Sequence, residues 1–579
     1  MIRRLAVGTL AVALVAAAGL AWVAARGANA RDHLTRAAAL VLQLRGQLDA
    51  GDVDAATATL AALRVETAAA RAETADPAWR AGQRAPVVGY DLAAVRTVTV
   101  ALDDLARDAL PAMVETAGRV RLGTLVPRDG RVDLRGLARA APRLADAEVA
   151  VALARDRIAA IEVDSLATPV RDAVVRLRDG LSRAAVDTAT VARTAALLPA
   201  MLGADGPRTY LVLLQNLAEP RATGGMPGAY VVLRADRGAV EIVEQGAPAE
   251  FERPVLPLDK ALRSLYSERM ATYAADVNFS PDFPTAAVLA REMYRLRSGR
   301  TVDGVLATDP VALSYLLVAL GPVAVPGGPT LTAGNAVRVL LSDVYARSGS
   351  SPDEYFAAAA RAIFTALLRR PLDARALLAQ VARAAGERRI LVWTADERQR
   401  ARLDGTVLSG ALPALDGARP AVGLFVNDGS GAKLGYYLRP AASLAVGGCR
   451  PDRRRELALR VTLGSTAPRS GLPPSVLGLG LAGDPYTLRT YLAVYSPTRG
   501  AIGPVRLDGS TVRVGAGFQR RRAVAIVRVD LRPGQTRTVE TTVFTGAAED
   551  GWRSGVTPSV WTTPGVADWP VTVHPGGPC

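Results

Sequence analysis

The chain has 579 residues, which is too many for one hydrophobic core and predicts about three domains. Half of the residues are hydrophobic and 22% are charged, which excludes an intrinsically disordered chain. The net charge of +15 comes almost entirely from scattered arginine, since Lys260 and Lys433 are the only lysines. No nucleic-acid-binding motif accompanies this charge, so we expect no nucleic-acid partner.

The N-terminus predicts a transmembrane anchor with its flanks over residues 1–30. Arg3 and Arg4 precede an apolar run from Leu5 to Ala25. About twenty apolar residues span a bilayer, and a basic flank favours a cytoplasmic N-terminus. Ala28-Asn29-Ala30 also fits a signal-peptidase site, so a cleaved signal peptide stays open. In both cases we expect the bulk of the protein outside the cytoplasm, and an uncleaved anchor would keep it at the cell membrane as a single-pass protein.

Residues 31–203 predict an antiparallel helical bundle that holds the later domains away from the membrane. Apolar positions recur at helical spacing, and two of the helices are expected at about 142–164 and 168–200. One face carries Leu34, Ala38, Val41 and Leu48.

Residues 204–412 predict an α/β domain, because strand-like and helix-like segments alternate. Branched apolar runs at 210–214, 229–233, 239–245, 302–309 and 323–326 predict strands. Helices are expected at 285–296 and 333–345, and the stretch 348–401 is also predicted to be helical.

A polar stretch lies between the first two of these strands and is predicted to be a turn. Its two adjacent glycines would let the backbone approach a ligand closely. No other part of the chain places so many polar groups between two buried strands. The candidate ligand-binding residues here are Gln215, Asn216, Glu219, Arg221, Thr223, Gly224 and Gly225.

A second polar group precedes the helix at 285–296. Asp276, Asn278 and Asp282 supply two carboxylates and an amide, the ligand types that suit a hard cation such as Mg²⁺. Asp282 before Pro284 is equally typical of a helix cap. We retain these three residues as metal candidates, with no cofactor established.

The central segments resemble a known bacterial family, domain-of-unknown-function family number 4012. The resemblance is carried by YLVLLQNLAEPRATGG at 210–225, DVNFSPDFP at 276–284 and VDGVLATDP at 302–310, and it extends over most of the chain. The family has no settled biochemical activity, so it implies envelope membership and no reaction.

Residues 302–325 are also similar to the strand–helix–strand of the LytR–CpsA–Psr proteins. Those membrane-anchored enzymes transfer glycopolymers from a polyprenyl diphosphate carrier to peptidoglycan, using arginines, acidic residues and a divalent metal. The resemblance implies ligand roles for Arg221, Tyr345 and Arg347. The segment Glu241 to Ala247 lacks the arginine of that family's Leu-Ser-Ile-Pro-Arg-Asp motif, which weighs against the shared reaction.

Residues 413–579 predict an antiparallel β-sandwich, because short alternating runs are separated by turn residues. The expected strands are 422–426, 457–463, 488–495, 523–531 and 536–544. Cys449 and Cys579 are the only cysteines, and an even pair in an exported region predicts a disulfide.

Two hypotheses about function follow. In the first, a membrane-anchored envelope protein binds an anionic carrier lipid or glycopolymer, so its partners are the membrane and a polyprenyl-linked glycan or anionic wall polymer. In the second, the chain is a metal-assisted phosphotransferase that attaches glycopolymers to the cell wall. His33 and His574 are the only histidines, which excludes a Ser-His-Asp triad in the central domain.

Overall fold

The computed structural model of the chain describes residues 2–86, 88–119, 126–127, 130–346, 352–413, 415–416, 419–547 and 556–577. These residues form a multidomain α/β structure with a helical N-terminal region and a β-sheet-rich C-terminal part. The chain divides into two compact units. One consists of Met1–Leu125 and Val132–Asp205, and the other of Val126–Arg131 and Gly206–Cys579.

The first unit is helical, as the sequence predicts. Its apolar stripes pack into small clusters, one of which joins Leu44, Leu60 and Leu63. A π-helical turn at Leu105–Ala109 lies just before Pro111, which lacks the N–H that an α-helical bond requires. The helices are α1 (Ile2–Ala50), α2 (Val53–Thr74), α3 (Pro77–Gly82), α4 (Gly89–Asp104), α5 (Leu110–Arg119), α6 (Arg135–Ala159) and α7 (Thr168–Met201).

The predicted membrane segment, Leu5 to Ala25, is part of α1, which continues without a break to Ala50. The side chains up to residue 17 lie outside the described part of the chain, and with them most of this segment. Among the helices as described, none combines the length and the apolar character needed to cross a membrane. The anchor therefore stays a prediction from the sequence.

A five-stranded mixed sheet forms the centre of the α/β domain. Its strands are β1 (Arg208–Arg221), β2 (Gly224–Asp236), β3 (Ala239–Gly246), β4 (Gly304–Thr308) and β5 (Leu391–Thr394). The strand order is β3-β2-β1-β4-β5, and only the β1–β4 pair is parallel.

Helices accompany this sheet, and α10 buries apolar residues against it. They are α8 (Lys260–Tyr266), α9 (Arg269–Thr272), α10 (Phe283–Ser298), α11 (Pro310–Leu320), α12 (Ala336–Leu341), α13 (Pro352–Arg369), α14 (Ala374–Gly386) and α15 (Glu397–Leu403). In α10, Pro284 occupies the first turn and Gly299 ends the helix in a left-handed conformation. Phe283 and Met293 of this helix share a core with Leu211 and Val305.

Three details of the predicted α/β domain are wrong. The segment 348–401 was expected to be helical, yet it contains β5, whose four residues are all buried beside β4. The expected strand at 323–326 is reduced to an isolated bridge between Val323 and Leu331. The expected helix at 333–345 is the shorter α12, followed by a 3-10 turn at Asp343–Ala346.

The C-terminal part contains two sheets, and all five strands expected there are present. The strands are β6 (Ala421–Asp428), β7 (Leu438–Cys449), β8 (Arg455–Ser465), β9 (Leu488–Tyr495), β10 (Ala501–Ile502), β11 (Arg506–Leu507), β12 (Ser510–Thr511), β13 (Gly515–Gln519), β14 (Arg522–Leu531), β15 (Thr536–Phe544), β16 (Ser559–Thr562) and β17 (Val571–His574). A short helix, α16 (Pro474–Leu477), precedes β9.

The two sheets share one hydrophobic core. One sheet has the order β13-β14-β9-β6-β16, and the other β12-β11-β15-β8-β7-β17 with β10 added on β15. Leu424 and Leu492 of the first sheet and Leu444 and Val461 of the second are fully buried in the same cluster. The expectation of a wholly antiparallel sandwich is wrong at two edges, where β16 and β17 pair in parallel with β6 and β7.

Candidate functional site

The hairpin formed by β1 and β2 contains most of the residues expected to bind a ligand. The polar stretch predicted to be a turn is strand as far as Arg221, and the turn consists only of Ala222 and Thr223. Register shifts after Leu214 and Asn216 let the strand absorb its extra residues. The prediction is wrong here because the polar side chains find partners within the protein instead of in water.

Gly224 and Gly225 serve the packing of this hairpin. Gly224 has a φ of +142°, and a Cβ there would lie 2.4 Å from Gln215 Oε1. A Cβ on Gly225 would lie 2.2 Å from the carbonyl oxygen of Asn216. The two strands therefore approach so closely that neither position tolerates a side chain.

Gln215, Thr223 and Asn278 form a buried hydrogen-bonded group beneath the hairpin tip. Gln215 Nε2 donates to Thr223 Oγ1 at 2.9 Å. Asn278 Nδ2 donates to the same hydroxyl at 2.9 Å and to the carbonyl oxygen of Gly225 at 2.8 Å. Two candidates from the hairpin and one from the expected metal group are thus brought together in the interior.

Arg221 and Asp276 form a buried ion pair. Arg221 Nη2 lies 2.9 Å from Asp276 Oδ1, and the side chains are 8% and 4% exposed. The other oxygen of Asp276 accepts hydrogen bonds from Arg269 Nε at 3.0 Å and Nη2 at 2.8 Å. The Arg221 guanidinium also stacks on the Phe279 ring at 4.9 Å. Its charge is therefore satisfied within the protein.

Asp282 is held in a similar way. Its Oδ1 accepts a hydrogen bond from the backbone N–H of Leu412 at 2.9 Å. Its Oδ2 accepts hydrogen bonds from Thr285 Oγ1 at 2.7 Å and Arg520 Nη2 at 3.2 Å. Within the described residues, no group of three or more His, Cys, Asp or Glu side chains could hold a metal ion. The metal role of Asp276, Asn278 and Asp282 stays a prediction.

The sandwich covers the tip of the hairpin. The N–H of Ala222 donates to Asn427 Oδ1 at 3.0 Å, and Thr563 Oγ1 donates to the carbonyl oxygen of Ala222 at 3.2 Å. Gln519 Nε2 donates to Ser280 Oγ at 2.8 Å. These bonds join residues that lie from 205 to 341 positions apart in the chain, so local sequence patterns carry no sign of them.

A second, partly accessible cluster brings together three predicted candidates. Asn216 Nδ2 donates to Glu219 Oε2 at 3.0 Å and to the Tyr345 hydroxyl at 3.1 Å. Lys433 Nζ lies 3.4 Å from Glu219 Oε2 and 4.9 Å from the centre of the Tyr345 ring. Sequence reasoning missed Lys433, although two lysines among 70 basic residues are a compositional signal. Arg347, the remaining candidate, lies outside the described residues.

Asp428 lies close to this buried network. Its carboxylate accepts hydrogen bonds from the N–H and the hydroxyl of Ser430 and from the N–H of Gly431. Burial raises the pKa of Asp428 above its ordinary value, and the positive charge of Arg221 partly opposes that shift. Asp428 therefore senses the charge of Arg221, while its own hydrogen bonds stay within the loop that follows β6.

An apolar crevice, which the sequence did not reveal, lies beside the hairpin against α10. Its empty volume is about 420 Å³, open mouth included. The lining residues come from β1, β2, the segment 247–249 and α10. They are Leu211, Leu213, Pro227, Ala229, Tyr230, Ala247, Pro248, Ala249, Ala274, Ala290, Met293, Tyr294 and Arg297.

Two tyrosines fix one wall of this crevice. The rings of Tyr230 and Tyr294 meet edge to face at 6.0 Å, and both hydroxyls donate to Glu244 at 2.9 Å. Burial and the hydrogen bond to Glu244 raise the pKa of Tyr230 to about 12. Arg300 forms an ion pair with Glu244. Within the described chain, Arg297 has no ion-pair partner, so its positive charge remains available in the lining.

Comparison with known families identifies the central segment. Residues 205–345 match the family described as "Protein of unknown function (DUF4012)". This range contains β1 to β4 and every candidate ligand or metal residue except Arg347. The resemblance to this family is thus confirmed for the central segment. No curated protein matches the chain.

Proposed function

We propose that this chain, with its DUF4012 segment at residues 205–345, is a cell-envelope protein whose α/β domain binds an amphiphilic anion such as a carrier lipid. One observation carries the proposal. The apolar crevice beside the hairpin has a single charged residue in its lining, Arg297, and that residue is exposed. An apolar chain would occupy the crevice, and its anionic head group would contact the arginine.

The dimensions of the crevice suit part of a lipid chain. The enclosed space of the crevice is about 40 Å³, well below the volume of about 300–1,000 Å³ of sites that take up a whole small molecule, so the crevice admits only a short apolar segment. Each buried methylene contributes about 0.8 kcal/mol, so one five-carbon isoprene unit contributes about 4 kcal/mol. The crevice can hold a segment of a long prenyl chain, while the remainder stays in the bilayer or on the protein surface.

The charges near the crevice favour an anion. Arg300 compensates Glu244, so the carboxylate beneath the two tyrosines adds no net negative charge. Arg297 then contributes a positive charge close to an apolar wall, and an arginine fork matches phosphate geometry. A neutral lipid would leave this charge without a counterion.

The phosphotransferase alternative is supported less well. It requires Arg221 to contact a diphosphate, yet that side chain is 8% exposed and already paired with Asp276. Freeing it would break a buried ion pair, a step that costs several kcal/mol. The geometry therefore favours binding over transfer.

The location of the protein is part of the proposal and rests on the sequence. Arg3 and Arg4 before the apolar run Leu5 to Ala25 favour a membrane anchor with the bulk of the chain outside the cytoplasm. The proposed location is tested by protease treatment of cells whose cytoplasmic membrane is intact and whose outer layers have been removed. We expect digestion of the bulk of the chain, and full protection would contradict the proposed location.

Binding is tested on the full-length chain with geranylgeranyl phosphate and, for comparison, geranylgeraniol, by isothermal titration calorimetry. We expect tighter binding of the phosphate. Arg297→Gln should weaken its binding about two- to fivefold, as for a solvent-exposed ion pair. Ala229→Leu, which fills the crevice, should abolish binding of both probes.

The matched control is Arg295→Gln, on the same helix but outside the crevice, where Arg295 pairs with Glu292 at 2.7 Å. This variant should bind both probes like the wild type. Equal affinity for the alcohol and the phosphate, or binding that survives Ala229→Leu, would overturn the proposal.

A further inference from the structure

The outer face of the larger C-terminal sheet carries a cleft at the end of β8. Strand register places Gly464 between Arg439 on β7 and Thr536 on β15. The neighbouring residue Leu463 points into the core and is fully buried. Because Gly464 has no side chain, the floor of the cleft is bare backbone between an arginine and a threonine.

Two segments form the walls of this cleft. One is the chain that leaves β8, and the other is the turn before β15. Gly534 N–H donates to the carbonyl oxygen of Ser465 at 2.9 Å and holds the two walls together at one end. The volume of the cleft is about 450 Å³. The lining residues are Arg439, Thr462, Gly464, Ser465, Thr466, Ala467, Pro468, Arg469, Pro533, Gly534 and Thr536.

The lining combines two arginines with several hydroxyl groups and contains no carboxylate. Arg439 Nη1 donates to the carbonyl oxygens of Tyr436 at 3.1 Å and Leu438 at 2.9 Å, which fixes the side chain. Arg469 is exposed and, in the part of the chain that the structure describes, forms no ion pair. Two positive charges thus face one open cleft.

The hydroxyl groups add a second kind of contact. Thr466 Oγ1 donates to the carbonyl oxygen of Tyr437 at 3.1 Å and keeps its lone pairs as acceptors. Thr462 and Thr536 lie on adjacent strands in the same lining. A ligand that carried only a charge would use the arginines and leave these hydroxyls to water.

We propose that this cleft binds a saccharide that carries a carboxylate or phosphate group. The arginine forks match the planar carboxylate or the phosphate oxygens. The threonine hydroxyls can both donate to and accept from sugar hydroxyls. The bare backbone at Gly464 lets a sugar ring approach the sheet. The residues that line this cleft differ from those that line the apolar crevice. Either proposal can therefore be refuted without affecting the other.

The test uses the full-length chain and saturation-transfer difference NMR with three probes: glucuronate, glucose 6-phosphate and glucose. We expect saturation of the two acidic sugars and at most weak saturation of glucose. Arg469→Gln should weaken binding of the acidic sugars about two- to fivefold, as for a solvent-exposed charge pair. Gly464→Val should block the cleft, because the new side chain covers the backbone floor and its Cβ would lie 3.3 Å from Thr536 Oγ1.

The matched control is Arg460→Gln, on the same strand and the same face but outside the cleft. Arg460 is paired with Glu540 at 2.6 Å, and its loss should leave the signals unchanged. Circular dichroism confirms that each variant is folded. The inference is overturned if neither acidic sugar is saturated, if glucose is saturated equally, or if the signals persist in both Arg469→Gln and Gly464→Val.

Discussion

Replacement of Asp276 by alanine tests whether the Arg221–Asp276 ion pair stabilises the fold or whether Arg221 is free to bind a ligand. The substitution leaves the Arg221 guanidinium buried at 8% exposure without its counter-charge. A buried ion pair that loses one partner destabilises a protein by about 3–5 kcal/mol. We expect a loss in this range from the free energy of unfolding of the unit that contains residues 206–579.

A comparison within the same cluster sharpens this prediction. Arg269 contacts the same carboxylate at 2.8 Å, but its side chain is 60% exposed. Arg269→Gln should therefore cost only about 0.2–1 kcal/mol. The double variant Arg221→Met with Asp276→Ala removes both buried charges and should be more stable than Asp276→Ala alone.

Urea denaturation followed by tryptophan fluorescence measures these differences, because Trp393 is buried in the same hydrophobic cluster as α10. If Asp276→Ala costs no more than Arg269→Gln, the pair does not stabilise the fold and our reasoning is refuted. If Arg221→Met leaves stability intact but abolishes binding of a polyprenyl diphosphate, Arg221 is a ligand contact after all.

Three further outcomes are expected. Gly225→Ala should unfold the hairpin, because the new Cβ would lie 2.2 Å from a carbonyl oxygen, whereas Gly228→Ala, with its nearest atom at 3.7 Å, should be tolerated when both are compared by thermal unfolding. Thiol labelling of the native protein should modify neither Cys449 nor Cys579, and reduction should expose both and remove about 4–5 kcal/mol of stability. Two reactive thiols before reduction would contradict the predicted disulfide. The raised pKa of Asp428 means that its folded form keeps a proton to higher pH than its unfolded form, so its stabilising contribution is lost as pH rises through the folded pKa. Asp428→Asn should flatten that part of the pH dependence of the urea midpoint, and an unchanged slope would show that this carboxyl is not responsible.

The described end of the chain runs beside the strand that ends at Cys449. β17 runs parallel to β7, with His574 opposite Ala445, and β7 ends at Cys449. Arg455, which begins β8 and lies opposite Cys449, donates to the carbonyl oxygen of Gly577, the last described residue. Cys579 itself lies outside the described residues, and the bridge stays a prediction.

The strands and helices with strong periodic patterns were determined by the sequence alone. Alternation along 457–463 and 536–544 predicted two neighbouring strands of the C-terminal sheet, and the structure confirms both. Pro284 and Gly299 bound the helix expected after Asp282. These features depend on contacts between residues close in sequence, so a local pattern is sufficient to predict them. The short apolar run at 390–393, which contains most of β5, is also a strand signal, and the prediction of helix over 348–401 ignores it.

The environment of the polar hairpin was decided only by the tertiary structure. In sequence, Arg221 and the two glycines resemble a solvent-facing turn, because polar residues between apolar runs usually face water. In the structure, Asp276 pairs with Arg221, and Asn427 and Thr563 bind the backbone of Ala222, so the partners lie about 55 to 340 residues away in the chain. Burial depends on which distant segments cover a site, and that information is absent from any local window. The sequence alone determined which polar groups this hairpin would present. Only the packing of the sandwich against it decided that most of them would bind one another, because a buried polar group must find its hydrogen-bond partner inside the protein.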